Sequence, residues 1–211
     1  MDQQRNAKLW HNSTIIPVSS TLFKARNFLF DWRASTANST PSLTNRNQDP
    51  GNWSKPQAGF LKLNVDAAIN KEIAQMGFGH VLRDDNGAFV AARGVPWRGV
   101  FSPREAEAVA VREALSWIKN LHYDKVYVET DSLLVMQALN AIEGDSYFHL
   151  VIRDIKNMLC EFTHVFLNFA KRSANRAAHE LARQPVSLPD CTEWFVNPPP
   201  IICNALSLDV I

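Results

Sequence analysis

The segment Ser102 to Leu121, SPREAEAVAVREALSWIKNL, limits the folds open to this chain more than any other. At about 100° per residue, Ala106, Ala110, Val111, Ala114, Trp117, Ile118 and Leu121 form one broad apolar stripe, so the segment is an amphipathic helix with a face to bury. Glu105 and Arg112 project from the opposite side, and Glu113 sits at the stripe's margin. Glu107 lies near the middle of the stripe, one turn ahead of Ala110 and Val111. Burying an unpaired carboxylate is costly. Either the buried face is short and Glu107 sits at its wet first turn, where the helix dipole favours an acid, or a cation, a strong partner or a raised pKa compensates.

The periodicities on either side set the topology. Before the helix, Leu61 to Ala68 alternates, with Leu63, Val65 and Ala67 on one side and Lys62, Asn64 and Asp66 on the other. Gly77 to Asp84 and Ala88 to Val95 are two more strands, and Asp85-Asn86-Gly87 between them carries the Asn-Gly step that suits a type I′ hairpin turn. After the helix, Val126–Thr130 and Val165–Phe169 read as strands, and Leu133–Leu139, Tyr147–Phe162 and Ala174–Gln184 as helices. A meander followed by strands alternating with helices predicts an α/β fold: a five-stranded mixed sheet with helices on both faces.

Composition adds bounds rather than a function. At 46% hydrophobic and 20% charged residues, the 211-residue chain has the make-up of a soluble globular protein. Its net charge of +1 argues for no bulk electrostatic partner, so any nucleic-acid surface is local. Cys160, Cys191 and Cys203 show neither CxxC pairing nor metal-ligand spacing, which favours a reducing compartment. The polar start MDQQRNAKLW has no signal-peptide core, and no apolar run is long enough for a bilayer. A soluble intracellular protein is expected, with nucleus and cytoplasm not distinguished, no membrane partner and a monomeric state. Three regions are expected. In residues 1–52 a short helix could bury Leu22, Phe23, Phe28 and Leu29 ahead of a Ser/Thr/Asn/Pro-rich linker. Residues 53–185 form the domain, and 186–211 an aperiodic tail whose Pro198-Pro199-Pro200 run is unable to join a regular element.

On this layout three acids converge. Asp66 is near the end of the first strand, Glu107 is on the core stripe of the first helix, and Asp131 stands where the fourth strand gives way to a helix. If the first and fourth strands are neighbours, Asp66 and Asp131 come side by side. Each has a simpler account alone: Asp66 can satisfy a strand-end turn, and Asp131 can cap the next helix. Those accounts leave the convergence unexplained. Clustered carboxylates repel one another unless a divalent cation sits among them. Magnesium takes hard oxygen ligands, and two ions about 4 Å apart can clamp a phosphodiester.

The runs LNVDAA, SPREAEAVAVREAL, VYVETDS and NRAAHELAR, in this order, resemble the ribonuclease H type 1 domain. More closely they resemble the plant variant related to non-LTR retrotransposon reverse transcriptases, over roughly Trp53 to Gln184. RNAKLW and WSKPQAGFLKLN also resemble sequence preceding that domain in retroelement polyproteins, so the chain is expected to be a retroelement-derived fragment carrying the last domain. The resemblance implies that Asp66, Glu107 and Asp131 hold two magnesium ions, with manganese as an alternative. It implies hydrolysis of the RNA strand of RNA–DNA hybrids to a 3′-hydroxyl and a 5′-phosphate.

The sequence departs from that pattern at three places. His179 stands where a fourth carboxylate is expected, Ala67 follows the first aspartate where glycine is frequent, and the Ala170–Ala174 loop lacks the histidine some members place there. His179 is the weightiest, because imidazole is a poor magnesium ligand. It shares a helix side with Asn175 and Arg183 and is expected to look into the cleft, whereas Glu180 points elsewhere. Lys171, Arg172, Arg176 and Arg183 form a basic patch suited to a phosphate backbone, which would read a hybrid or another duplex by shape. The alternative is a catalytically weak or inactive nucleic-acid-binding module.

Overall fold

Alternation over Leu61–Asn70 builds the central strand β1, and β2 (Gln75–Arg83) and β3 (Phe89–Arg98) complete an antiparallel meander with it. The structure, a computed structural model, describes residues 52–141, 144–184 and 190–209. The helix and linker expected before residue 52 lie outside the described residues. After the meander come α1 (Pro103–Asn120), β4 (Lys125–Thr130), α2 (Leu133–Asn140), α3 (Tyr147–Glu161), β5 (His164–Phe169), α4 (Arg176–Arg183), β6 (Thr192–Trp194) and α5 (Pro200–Leu208). The sheet order is β5-β4-β1-β2-β3-β6. Strand β4 runs parallel to both β1 and β5, so the sheet is mixed, as expected.

Two corrections apply to the expected fold. The sheet has six strands rather than five, and residues 190–209 are not an aperiodic tail: β6 pairs antiparallel with β3 and α5 packs on α4. The proline run misled because Pro200 sits in the first turn of α5 and Pro199 is its N-cap, where a missing N–H costs nothing. Ile202 and Ala205 then bury against Val81, Ala92, Ala177 and Leu181. The hairpin turn also differs. Of Asp85, Asn86 and Gly87 only Gly87 has positive φ (83°), and the Gly87 N–H donates to the Asp84 carbonyl (3.0 Å). The Asp84 carboxylate accepts from the N–H groups of Asn86 (2.9 Å) and Ala88 (2.8 Å), which favours this three-residue loop over a type I′ turn.

The two faces of the sheet are covered differently. Val65 and its partner His80 face α1, whose buried stripe runs from Ala106 to Ile118. His80 Nε2 lies 3.1 Å from the Ala110 carbonyl oxygen, and burial lowers its pKa to about 3, so it packs as a neutral core residue. The opposite face carries Lys62, Asn64 and Asp66, all buried, beneath Trp53 and α4. Burial of that polar row depends on pairing. Lys62 bridges Glu129 (2.7 Å), and Asn64 accepts from Trp53 (2.8 Å) and donates to Glu129 (3.1 Å). Arg83 joins the row by donating to Asn64 (3.2 Å) and to Asp209 (2.8 Å) while lying 3.5 Å from the centre of the Trp53 ring.

Helix α4 approaches the sheet where β2 has no side chain. A Cβ at Gly79 would lie 2.5 Å from the Ala182 nitrogen and closer still to the Ala178 carbonyl oxygen, both backbone atoms that cannot swing aside. Gly79 pairs with Asp66, so this contact brings α4 down beside that acid. Gly79→Ala is therefore expected to lower stability by about 1–3 kcal/mol through overpacking, read as a lower urea midpoint at unchanged slope.

Candidate metal centre

Registry puts two of the acids together. The parallel pairing of β1 with β4 ends at Val65 opposite Thr130, so the next residues, Asp66 and Asp131, stand at the point where the two strands part. Strand β1 itself runs on to Asn70 against β2, so Asp66 lies within the strand and satisfies no strand-end turn. Nor is Asp131 a helix cap. Ser132 is the N-cap of α2, its hydroxyl accepting from the Val135 N–H at 3.4 Å. The third acid arrives from the first turns of α1, whose start is fixed by Pro103 and by Glu105, the carboxylate of which accepts from the Ser102 N–H (3.0 Å) and hydroxyl (2.7 Å).

Asp66, Glu107 and Asp131 each offer an oxygen, and these oxygens all lie within 4.8 Å of one another. The stripe argument and the strand argument thus end at one place. Glu107 is half-buried and held on one side only: its carboxylate accepts from the Ala67 N–H, while Oε2 is buried with no hydrogen-bond partner among the described residues. Burial, then the charges of Asp66 and Asp131, push its carboxyl up to about 9, opposed by Arg172 and by the Ala67 N–H. Alanine at position 67 therefore still serves the site through its backbone. Burial, then Asp131, raise Asp66 to about 6, against the opposing pull of His179 and Arg172.

Two cations or potential cations flank the acids from the α4 side. His179 Nδ1 lies 3.0 Å from Asp66 Oδ2, so His179 faces that acid. Asn175, at the N-cap of α4, fixes that approach by donating from Nδ2 to the Val65 carbonyl oxygen (2.9 Å). Arg172 donates from Nε to Asp131 Oδ2 (3.2 Å) while its own side chain remains 82% exposed, so this pair is weakly held in water. Sequence reasoning placed Arg172 in a basic patch but not on Asp131; nothing in its spacing marks that contact. Arg176 turns instead toward Asp209, 3.8 Å away.

Residues 64–184 match the reverse transcriptase-like family. The chain belongs to that family. None of the curated proteins matches it in sequence. Among solved structures, this reverse transcriptase-like chain is similar to RNase H1 from the halophilic archaeon Halobacterium salinarum NRC-1, with 23% identity, a TM-score of 0.55, and coverage of 61% of this chain and 98% of that one. The N-terminal RNase H domain of a Mycobacterium tuberculosis protein is similar at 18% identity and a TM-score of 0.52, over 60% and 93% of the two chains. A compost-derived RNase H1, solved in complex with an RNA/DNA hybrid, is similar at 19% identity and a TM-score of 0.52, over 60% and 96%. These likenesses establish an RNase H-like fold for the reverse transcriptase-like chain. None of its described helices is long and apolar enough to cross a membrane.

The raised carboxyl pKa values carry a stability consequence. The folded protein holds protons on Asp66 and Glu107 that the unfolded chain releases near the ordinary values of 3.8 and 4.5. Their contribution is therefore fully present below about pH 4 and is lost as pH rises through about 6 and then about 9. In chelator, the melting temperature is expected to lose this contribution across that window. An added divalent ion that binds the folded site should raise it most at the alkaline end. A gap between the two curves that does not grow with pH would contradict the assignment.

Proposed function

We propose that the chain is a metal-dependent endonuclease of ribonuclease H type that hydrolyses the RNA strand of RNA–DNA hybrids. The observation that carries this reading is the three-carboxylate cluster, in which Glu107 Oε2 is buried without a hydrogen bond among the described residues, on an RNase H-like sheet. A carboxylate oxygen left without a hydrogen bond among like charges is a donor that a divalent ion can use. Asp66, Glu107 and Asp131 would hold two such ions, magnesium on the strength of the carboxylate donors alone. Bound there, the ions supply Lewis acidity and charge neutralisation to a phosphodiester and its attacking water.

The chain's own residues do the rest. Asp66 is fixed in the sheet and Glu107 in a packed helix, so neither donor needs to reorganise when the ions arrive. Arg172 offsets part of the excess negative charge through Asp131. Lys171 and Arg183, exposed beside α4, are placed to meet the phosphate backbone of a duplex. Recognition by shape and 2′-hydroxyls gives strand choice without sequence choice, and the products are a 3′-hydroxyl and a 5′-phosphate.

A second reading, a catalytically weak hybrid-binding module, is favoured by one observation: His179 occupies the place of a fourth carboxylate and contacts Asp66. The two readings part when equal amounts of hybrid, double-stranded RNA, double-stranded DNA and single-stranded RNA are offered with a divalent ion and then with chelator. Metal-dependent cutting confined to the RNA of the hybrid supports the nuclease. Retention of the hybrid without cutting supports the module.

A further inference from the structure

His179 has no task in a site made of carboxylates alone. Its position is nevertheless built. Asn175 ties the start of α4 to β1, the His179 N–H donates to the Asn175 carbonyl oxygen (3.0 Å), and the bare Gly79 lets the helix down onto the sheet. The ring nitrogen is thereby set 3.0 Å from Asp66 Oδ2, with the His179 side chain 37% exposed and the Asp66 side chain 4%. Asp66 is itself one of the three clustered acids.

Two chemistries share that distance. A ring N–H can donate to the carboxylate, or the nitrogen lone pair and the carboxylate oxygen can be adjacent donors to one cation. Two neighbouring ligands of an octahedral ion with bonds of about 2.1 Å are separated by roughly 3 Å, so the second arrangement suits an ion shared by His179 and Asp66, on the side of Asp66 away from the three-acid cluster, which His179 does not join. Donor type then bears on which ion enters. An all-oxygen set suits magnesium, whereas imidazole is a borderline donor that first-row transition ions accept far better.

We infer that His179 is a nitrogen ligand of this centre, which therefore takes a first-row transition ion, manganese among them, in preference to magnesium. This rests on the proposed metal site and names its ion.

The probe is Mn2+ added to the full untagged chain, followed by electron paramagnetic resonance. Free Mn2+ gives the binding constant, Mg2+ competition gives the preference, and electron spin-echo modulation reads nitrogen coupled to the bound ion. In the wild type, bound Mn2+ should show histidine nitrogen coupling and resist Mg2+. In His179→Asp the coupling should vanish, and Mg2+ should compete better by about tenfold or more. Circular dichroism verifies that each variant is folded, and Asp66→Asn identifies the site. Mn2+ that is bound in an Asp66-dependent way without nitrogen coupling, or with coupling that survives His179→Asp, overturns the inference while leaving the metal site standing. Absence of any Asp66-dependent Mn2+ binding overturns both.

Discussion

Asp66→Asn is expected to lower hybrid cleavage by about a thousandfold or more, since it removes charge and a donor where the reaction's electrostatics are concentrated. The same substitution should make the metal-free protein more stable. Asp66 is buried, and its ionisation is opposed by burial and by Asp131, so an uncharged amide of the same shape relieves a cost that the carboxylate carries above about pH 6. Glu107→Gln should act in the same two directions, with the larger stabilising effect, because burial and two neighbouring acids push that carboxyl up to about 9. Activity and thermal stability measured together on both variants test this. Loss of both would make the acids structural, whereas loss of one and gain of the other is the mark of a binding site held open at the expense of the fold.

Asp209→Ala is expected to destabilise the protein by about 3–5 kcal/mol, the range for stranding one member of a buried ion pair. The Arg83 and Asp209 side chains are each 1% exposed and meet at 2.8 Å, far apart in the chain and beyond the reach of solvent. Removal of the carboxylate leaves the Arg83 guanidinium stacked on Trp53 and bonded to Asn64, yet still buried with its main counter-charge gone. Burial already pulls the Arg83 pKa down against the support of Asp209. The double variant Arg83→Met, Asp209→Leu should be much milder, because paired apolar groups need no counter-charge. Urea unfolding of the two singles and the double gives the coupling directly. A single-variant loss below about 0.5 kcal/mol would mean that the end of α5 does not dock on the sheet in solution.

Much of the site was legible because its residues broke local rules. Glu107 interrupted an otherwise apolar stripe, Asp66 stood in one apolar strand and Asp131 just after another, and the pairing of those strands could be guessed from their order. The first and fourth strands are indeed neighbours, and the order of periodicities was enough for the mixed sheet. Other features left no such mark. Lys62 and Asn64 alternate with the apolar residues of their strand, yet they are buried, because Trp53 bonds Asn64, and Glu129, far along the chain, pairs with both. The last strand and helix were hidden by prolines that read as breakers and in fact open a helix. The hairpin loop took its shape from the Asp84 side chain, two residues before the Asn-Gly step that suggested a different turn. Contacts made by long flexible side chains, such as Arg172 on Asp131, have no periodicity to betray them.

The most direct test of the central claim is cleavage of an RNA–DNA hybrid labelled on its RNA strand, with Mg2+ and then Mn2+, by the wild type beside Asp66→Asn. The account predicts that the wild type cuts the RNA strand only when a divalent ion is present, and that Asp66→Asn, folded, does not cut. Cutting that persists in chelator or in Asp66→Asn, or a folded wild type that cuts with neither ion, would contradict it.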